Sequence, residues 1–227
     1  MKATSFIKYL ALLALCFGML FSCKQPTKVK ESGTASQNIH YAKGFTLSEV
    51  DNHSVLSIIN PWPNAQKKFR YALVKKGTTL ENPEAYDAIV TVPVDKIVVT
   101  STTHIPSLEA LGVENTLVGF PNLKYVSSKK TRENIASGNI KELGKNEALN
   151  TEVLIALAPD VVVSFTLDGN NKSLQTIKKT GIPVLINADW TETHPLGKAE
   201  WIKFFGALYN KNELAERLFN TIETNYT

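Results

Sequence analysis

Between Lys96 and Ile186, short continuous apolar runs alternate with stretches whose apolar residues recur every three or four positions. Lys96-Ile97-Val98-Val99-Thr100, Thr116 to Phe120, Val161-Val162-Val163-Ser164 and Pro183-Val184-Leu185-Ile186 are of the kind that forms strands buried on both faces. The stretches Ile105 to Gly112, Ser128 to Ala136, Thr151 to Leu157 and Lys172 to Lys179 read as helices. Pro106 suits a first helical turn, Gly112 and Gly181 suit helix ends, and Ala158-Pro159-Asp160 breaks the third helix. This alternation predicts an α/β fold, a mainly parallel sheet with helices on both faces. Right-handed crossovers then place every strand-to-helix loop along one rim, where open α/β sheets bind ligands.

The flanking regions follow other patterns. Two strand-like runs, Ser54 to Asn60 and Phe69 to Lys75, are joined by Pro61-Trp62-Pro63-Asn64, which predicts an N-terminal antiparallel β-hairpin. After Pro195 the pattern is purely helical. Trp201, Phe204, Phe205 and Leu208 form an apolar stripe that packs against the sheet. Asn210-Lys211-Asn212 interrupts it, with Asn212 as N-cap of a second amphipathic helix carrying Leu214, Leu218, Phe219 and Ile222. That helix is still running at Thr227, so the sequence reads as cut there.

The first residues are an address. Lys2 and Lys8 precede an apolar run, Leu10 to Phe21, so residues 1–22 read as a secretory signal. The run falls short of the roughly 20 apolar residues that a spanning helix needs, and no other apolar segment approaches that length. Leu20-Phe21-Ser22-Cys23 resembles the bacterial lipobox, in which cleavage precedes the cysteine and the thiol carries diacylglycerol. Cys16 is removed with the signal, leaving Cys23 as the sole mature thiol, unable to form an internal disulfide. Polar residues 23–44 read as a flexible tether, followed by an α/β lobe over 45–195. The expected location is the periplasm, lipid-anchored to a membrane.

Composition narrows the chemistry. Formal charge is +4, and removing Lys2 and Lys8 leaves 23 basic against 21 acidic residues, which gives no basis for nucleic-acid binding. There is no G-x-S-x-G elbow, P-loop, G-x-G-x-x-G or H-E-x-x-H, so no enzyme is expected. His40, His53 and His194 are scattered, and no metal site is expected.

From Lys96 onward three stretches carry a resemblance. They are Ile97 to His104 leading into Leu108-Glu109-Ala110-Leu111-Gly112; Leu149-Asn150-Thr151-Glu152 through Pro159-Asp160 to Val163; and Pro195 to Leu208. Their order resembles the periplasmic-binding family for iron-siderophores, haem and cobalamin, the third stretch being like its Bacteroidota-type members. The resemblance implies two α/β lobes bridged by a long helix. Residues 196–227 would be a packing helix and the start of that bridge, with the second lobe missing. It further implies a monomeric substrate-binding lipoprotein of an ABC importer with no resident cofactor. The ligand would be a metal chelate held between the lobes, and the partners a permease with its ATPase subunits.

Candidate residues follow. The resemblance assigns Glu152 to pairing with permease arginines; the residues alone read it as a first-turn glutamate after an Asn150 cap. Thr102, Thr103 and His104 fall at the rim, as ligand contacts or as caps of the Pro106 helix. Trp62, Tyr125, Phe165 and Trp190 fall in loops, where a ring stacks on a corrin or aromatic siderophore or packs locally. Asn146 lies near a position that faces ligand in the family. Asp189 and Glu192 read as solvated carboxylates. Two rival readings are an exported α/β enzyme and a single-lobe lipoprotein that binds a protein partner.

Overall fold

The computed structural model describes residues 39–226; the expected signal, Cys23 and most of the tether lie outside them. Two sheets form the frame. In the first, β1 (Phe45–Val50), β2 (His53–Ile58) and β3 (Phe69–Lys75) are antiparallel, and β4 (Ala88–Val92) joins β3 in parallel. The β2–β3 pair is the expected hairpin. The other two strands were not legible: β1 contains Ser48 and Glu49, and β4 is a five-residue edge strand followed at once by Pro93.

The second sheet is wholly parallel. It contains β5 (Ile97–Val99), β6 (Leu117–Phe120), β7 (Lys141–Glu142), β10 (Val161–Ser164) and β11 (Val184–Ile186), in the order β11-β10-β5-β6-β7. Val162 sits between Val184 and Val98, and all three are fully buried, as the continuous apolar runs require. Its helices are α1 (Ile105–Ala110), α2 (Lys129–Ala136), α3 (Thr151–Leu157) and α4 (Lys172–Lys179). Ser128, Asn150 and Asn171 each accept a backbone N–H as N-caps of α2, α3 and α4. A small hairpin, β8 (Gly144–Lys145) and β9 (Ala148–Leu149), precedes α3. The sheets are joined where Tyr71 of β3, buried and with its phenol held protonated by that burial, accepts the Ile186 N–H of edge strand β11 at 3.0 Å.

The helical tail forms α5 (Pro195–Glu200), α6 (Ile202–Leu208) and α7 (Asn212–Tyr226). Trp201, Phe204, Phe205 and Leu208 are all buried, and Trp201 marks the break between α5 and α6. Asn212 does not cap α7: its Oδ1 makes no hydrogen bond, while the Lys211 carbonyl accepts the Ala215 N–H. The expected tether also ends earlier than Gly44. Glu200 accepts the N–H groups of His40, Tyr41 and Ala42 at 2.7–2.9 Å, and Glu192 accepts those of Lys43 and Gly44 at 2.8 Å. Residues 40–44 are therefore a strap pinned across α5 by two carboxylates.

Candidate functional site

The carboxyl ends of β5, β10 and β11 support the rim. Thr100 and Ser164 share a buried hydroxyl hydrogen bond at 2.9 Å, and the Asn187 N–H bonds to the Ser164 carbonyl at 2.8 Å. Asn187 Oδ1 in turn accepts the Asp189 N–H at 3.0 Å. Above this floor the loops enclose two clefts.

The first, of about 340 Å³, lies between the β8–β9 hairpin and the β10–α4 loop, and is lined by Asn146, Phe165, Leu167 and Asp168 among others. Its loop is internally bonded: Gly169 N–H to Thr166 Oγ1 and Asn170 N–H to Asp168 Oδ1, both at 2.9 Å. The Asn171 amide bonds to the Asn146 carbonyl at 2.9 Å and ties this loop to the hairpin. Asn146 Oδ1 is buried without a donor. Leu167 is 67 % exposed on the lip, an apolar side chain with no local signal that would have singled it out. The second cleft, of about 460 Å³, is lined by Thr103, Pro106, Trp190, Lys198, Ile202 and Ile222 among others. Trp190 Nε1 is buried without an acceptor.

Thus Asn146 and Phe165 come together in one cleft, Thr103 and Trp190 in the other. Thr102 and Tyr125 are exposed and line neither of these clefts; Lys124 Nζ lies 5.0 Å from the Tyr125 ring centre. Trp62 lies behind the first cleft, not in it. Its indole covers Gly169, where a Cβ would come within 2.7 Å of the ring, and it meets Phe69 edge-on. Gly169 has φ of +80°, so glycine meets both the turn and the close approach.

His104 overturns its expectation. It is wholly buried, 5.5 Å from the Phe205 ring, neither facing a ligand nor making a side-chain cap bond to α1. Both its ring nitrogens lack a partner that meets hydrogen-bond geometry. Burial pushes the imidazole down to about 4, against the opposing influence of Asp189 and Asn187, so it is neutral at physiological pH. The strongly apolar Ile105 and Leu108 beside it draw that turn into the core.

Glu192 is also not a solvated carboxylate. It is buried, and besides the strap it accepts the Trp201 indole N–H at 3.1 Å. Glu152 is exposed in the first turn of α3, on the same helix as the exposed Ile155. Among the described residues no group of three or more His, Cys, Asp or Glu side chains is placed to hold a metal ion. No helix among them is long and apolar enough to cross a membrane.

A family model described as periplasmic binding protein matches residues 97–227. An uncharacterized lipoprotein of Methanocaldococcus jannaschii is 25 % identical over 207 residues, covering 82 % of this chain and 50 % of the relative. A second uncharacterized lipoprotein of that organism is 27 % identical over 141 residues, covering 59 % of this chain and 36 % of the relative. The chain thus spans half the length, or less, of these curated relatives. Among solved structures, a possible iron-binding periplasmic solute-binding protein from Staphylococcus epidermidis aligns with a TM-score of 0.47 and 20 % identity, covering 59 % of this chain and 49 % of that one. A triscatecholate siderophore-binding protein from Bacillus subtilis gives 0.46 and 22 %, covering 60 % and 45 %.

Proposed function

Because the chain belongs to the periplasmic binding protein family, we propose that it is the solute-capturing half of a lipid-anchored receptor for an ABC importer. The cargo is an organic metal chelate such as a ferric siderophore, haem or a corrinoid. Cys23 carries the anchor, and the exposed Glu152 on α3 docks on the permease. Charge complementarity of that kind sets register and on-rate more than affinity. The role is binding and delivery, without making or breaking a bond.

One observation carries this reading. The loops after β5, β10 and β11 gather on a single rim and frame two clefts, the first setting Phe165 and Leu167 among polar side chains and the second more apolar, with Pro106, Trp190, Ile202 and Ile222. That is the composition of sites that hold organic solutes. The names of the iron- and siderophore-binding structures with a similar fold guide the choice of probes.

The test uses protein expressed from the complete gene without residues 1–23. Its tryptophan fluorescence is titrated with cyanocobalamin, haem and several ferric siderophores. Saturable quenching at micromolar or lower concentration by one of them establishes capture and identifies the cargo class. A folded protein that responds to none of them removes the chelate assignment.

A further inference from the structure

Another cleft, of about 300 Å³, lies at the start of β11, the opposite end of that strand from the rim. Pro83, Tyr86, Ile89, Lys178, Ile182 and Pro183 line it among others. Tyr86 is half-buried, and its phenol oxygen lies 2.7 Å from Nε2 of His53, the first residue of β2. Nδ1 of the same imidazole lies 3.2 Å from Oδ1 of Asn52, in the turn before β2. An amide oxygen only accepts, so Nδ1 carries the hydrogen and Nε2 keeps its lone pair. The Tyr86 hydroxyl therefore donates to His53.

Asn52, His53 and Tyr86 thus stand as orienting group, base and nucleophile in one hydrogen-bonded series. The two rings meet edge-on at 88°, with centroids 5.5 Å apart. Arg70 of β3 holds its guanidinium 5.5 Å from the centre of the Tyr86 ring. That places a positive charge beside an oxygen that turns negative as its proton leaves. Lys178 is the cation lining the cleft, and the neighbouring carboxylate, Asp87, is paired with Lys67 at 3.4 Å. A free phenol ionises near pH 10, so only about one in a thousand is a nucleophilic phenolate at pH 7. A base in contact with the hydroxyl takes the proton during attack and speeds it by roughly 10²–10⁴.

We propose that Tyr86 is an activated phenol and a covalent acylation site for activated acyl donors such as acyl imidazoles and thioesters. His53 is its base and Asn52 the positioning residue. The phenol oxygen attacks the acyl carbon and forms an ester bond, while its proton passes to His53 Nε2. The bond from that carbon to the leaving group breaks, and the leaving group takes the proton from His53. Pro83, Ile89, Ile182 and Pro183 give the acyl group an apolar surface. The site is separate from the two rim clefts and does not depend on solute capture.

The experiment treats the protein from the complete gene, without residues 1–23, with N-acetylimidazole and maps acetylated tyrosines by mass spectrometry over time. Tyr125 and Tyr226 are internal standards, 63 % and 56 % exposed, which exposure alone ranks ahead of half-buried Tyr86. Tyr86 is expected to react at least roughly tenfold faster than either. His53→Gln should remove that advantage and leave the Tyr125 rate unchanged, and Asn52→Ala should reduce it severalfold. The pH profile separates the two routes. From pH 8 to 6 the Tyr125 rate should fall roughly tenfold per unit, as a free phenolate does. The Tyr86 rate should hold nearly level down to the ordinary imidazole range, about 6.5, and only then fall. The wild-type profile decides the matter if His53→Gln does not fold. A Tyr86 rate no higher than that of Tyr125, or a profile parallel to it, overturns the proposal. An unchanged Tyr86 rate in folded His53→Gln does the same.

Discussion

Lys203 Nζ lies 3.0 Å from Glu200 Oε1, and both side chains are completely excluded from solvent. The ammonium also reaches Glu216 on α7 at 2.9 Å, and it lies 4.6 Å from the centre of the Phe219 ring. Glu200 holds the strap, so a single buried network connects the entering chain to α5, α6 and α7. Tyr41 extends the connection: it stacks on His194 with centroids 5.4 Å apart and lies 6.0 Å from Phe219. Lys198, Ala199, Ile202 and Ile222, which line the second cleft, belong to those same three helices.

Removing one partner of this pair leaves the other charge buried with only part of its compensation, the strap amides for Glu200 or Glu216 for Lys203. Lys203→Met is expected to lower unfolding free energy by about 3–5 kcal/mol. Glu200→Ala should cost at least as much, because it also releases three strap N–H groups. Urea denaturation of each variant measures this. A loss under about 1 kcal/mol, the range of exposed pairs, would contradict the buried network.

Stability should fall in two acid windows. Burial holds His104 neutral, at about 4 against its usual 6.5, so the unfolded chain takes up a proton first. That contribution is complete above pH 6.5 and is lost as pH falls toward 4, by on the order of 3 kcal/mol. Burial pushes the Glu200 carboxyl up, but the Ala42, His40 and Tyr41 amides and the Lys203 ammonium outweigh it and hold it below its ordinary 4.5. Its contribution is present above that value and disappears as pH falls further. Denaturation midpoints from pH 7.5 to 3.5 test both windows, and His104→Phe should flatten only the upper one.

Gly44→Ala is expected to destabilise by about 1–3 kcal/mol through overpacking. The added Cβ would stand 2.7 Å from a Trp201 ring carbon and 3.2 Å from Glu192 Oε1, where the strap has no room to move away. The denaturation midpoint reports it, and an unchanged midpoint would mean that the strap is not held tightly.

Glu152→Arg should abolish cargo uptake in cells while leaving purified binding affinity unaltered and lowering stability by only about 1 kcal/mol, the effect of placing a cation instead of a carboxylate at the N-terminus of α3. Asn150→Ala is the contrasting variant. It removes the cap bond to Val153 and is expected to cost about 1 kcal/mol of stability. Normal uptake by the Glu152 variant would rule out docking through this residue.

Cys23→Ser should shift the protein from the membrane fraction to the soluble exported fraction and prevent incorporation of labelled fatty acid. Retention of label in that variant would place the lipid elsewhere.

Much of the frame was legible in local pattern. The parallel-sheet runs, the cap Asn150, and the stripe from Trp201 to Leu208 depend on neighbours one to four residues away. A strand buried on both faces must be apolar throughout, and a helix on one side only, so those periods survive without knowledge of the partner. The site was legible only as a set of loops. Asn146 and Phe165 meet because the β8–β9 hairpin folds against the β10–α4 loop, and Trp62 is drawn away by the gap over Gly169.

By itself the sequence determined the alternation of strands and helices, the rim that alternation creates, and the address at the N-terminus as an expectation. Only the tertiary structure decided that His104 is core, that Glu192 and Glu200 grip residues 40–44, and that Lys203 lies buried between two carboxylates. For His104, Glu192 and Glu200 the physical reason is the same. The solvation of a titratable side chain is set by partners up to 160 residues away in the chain, here the His40 N–H on Glu200, and no local window contains them.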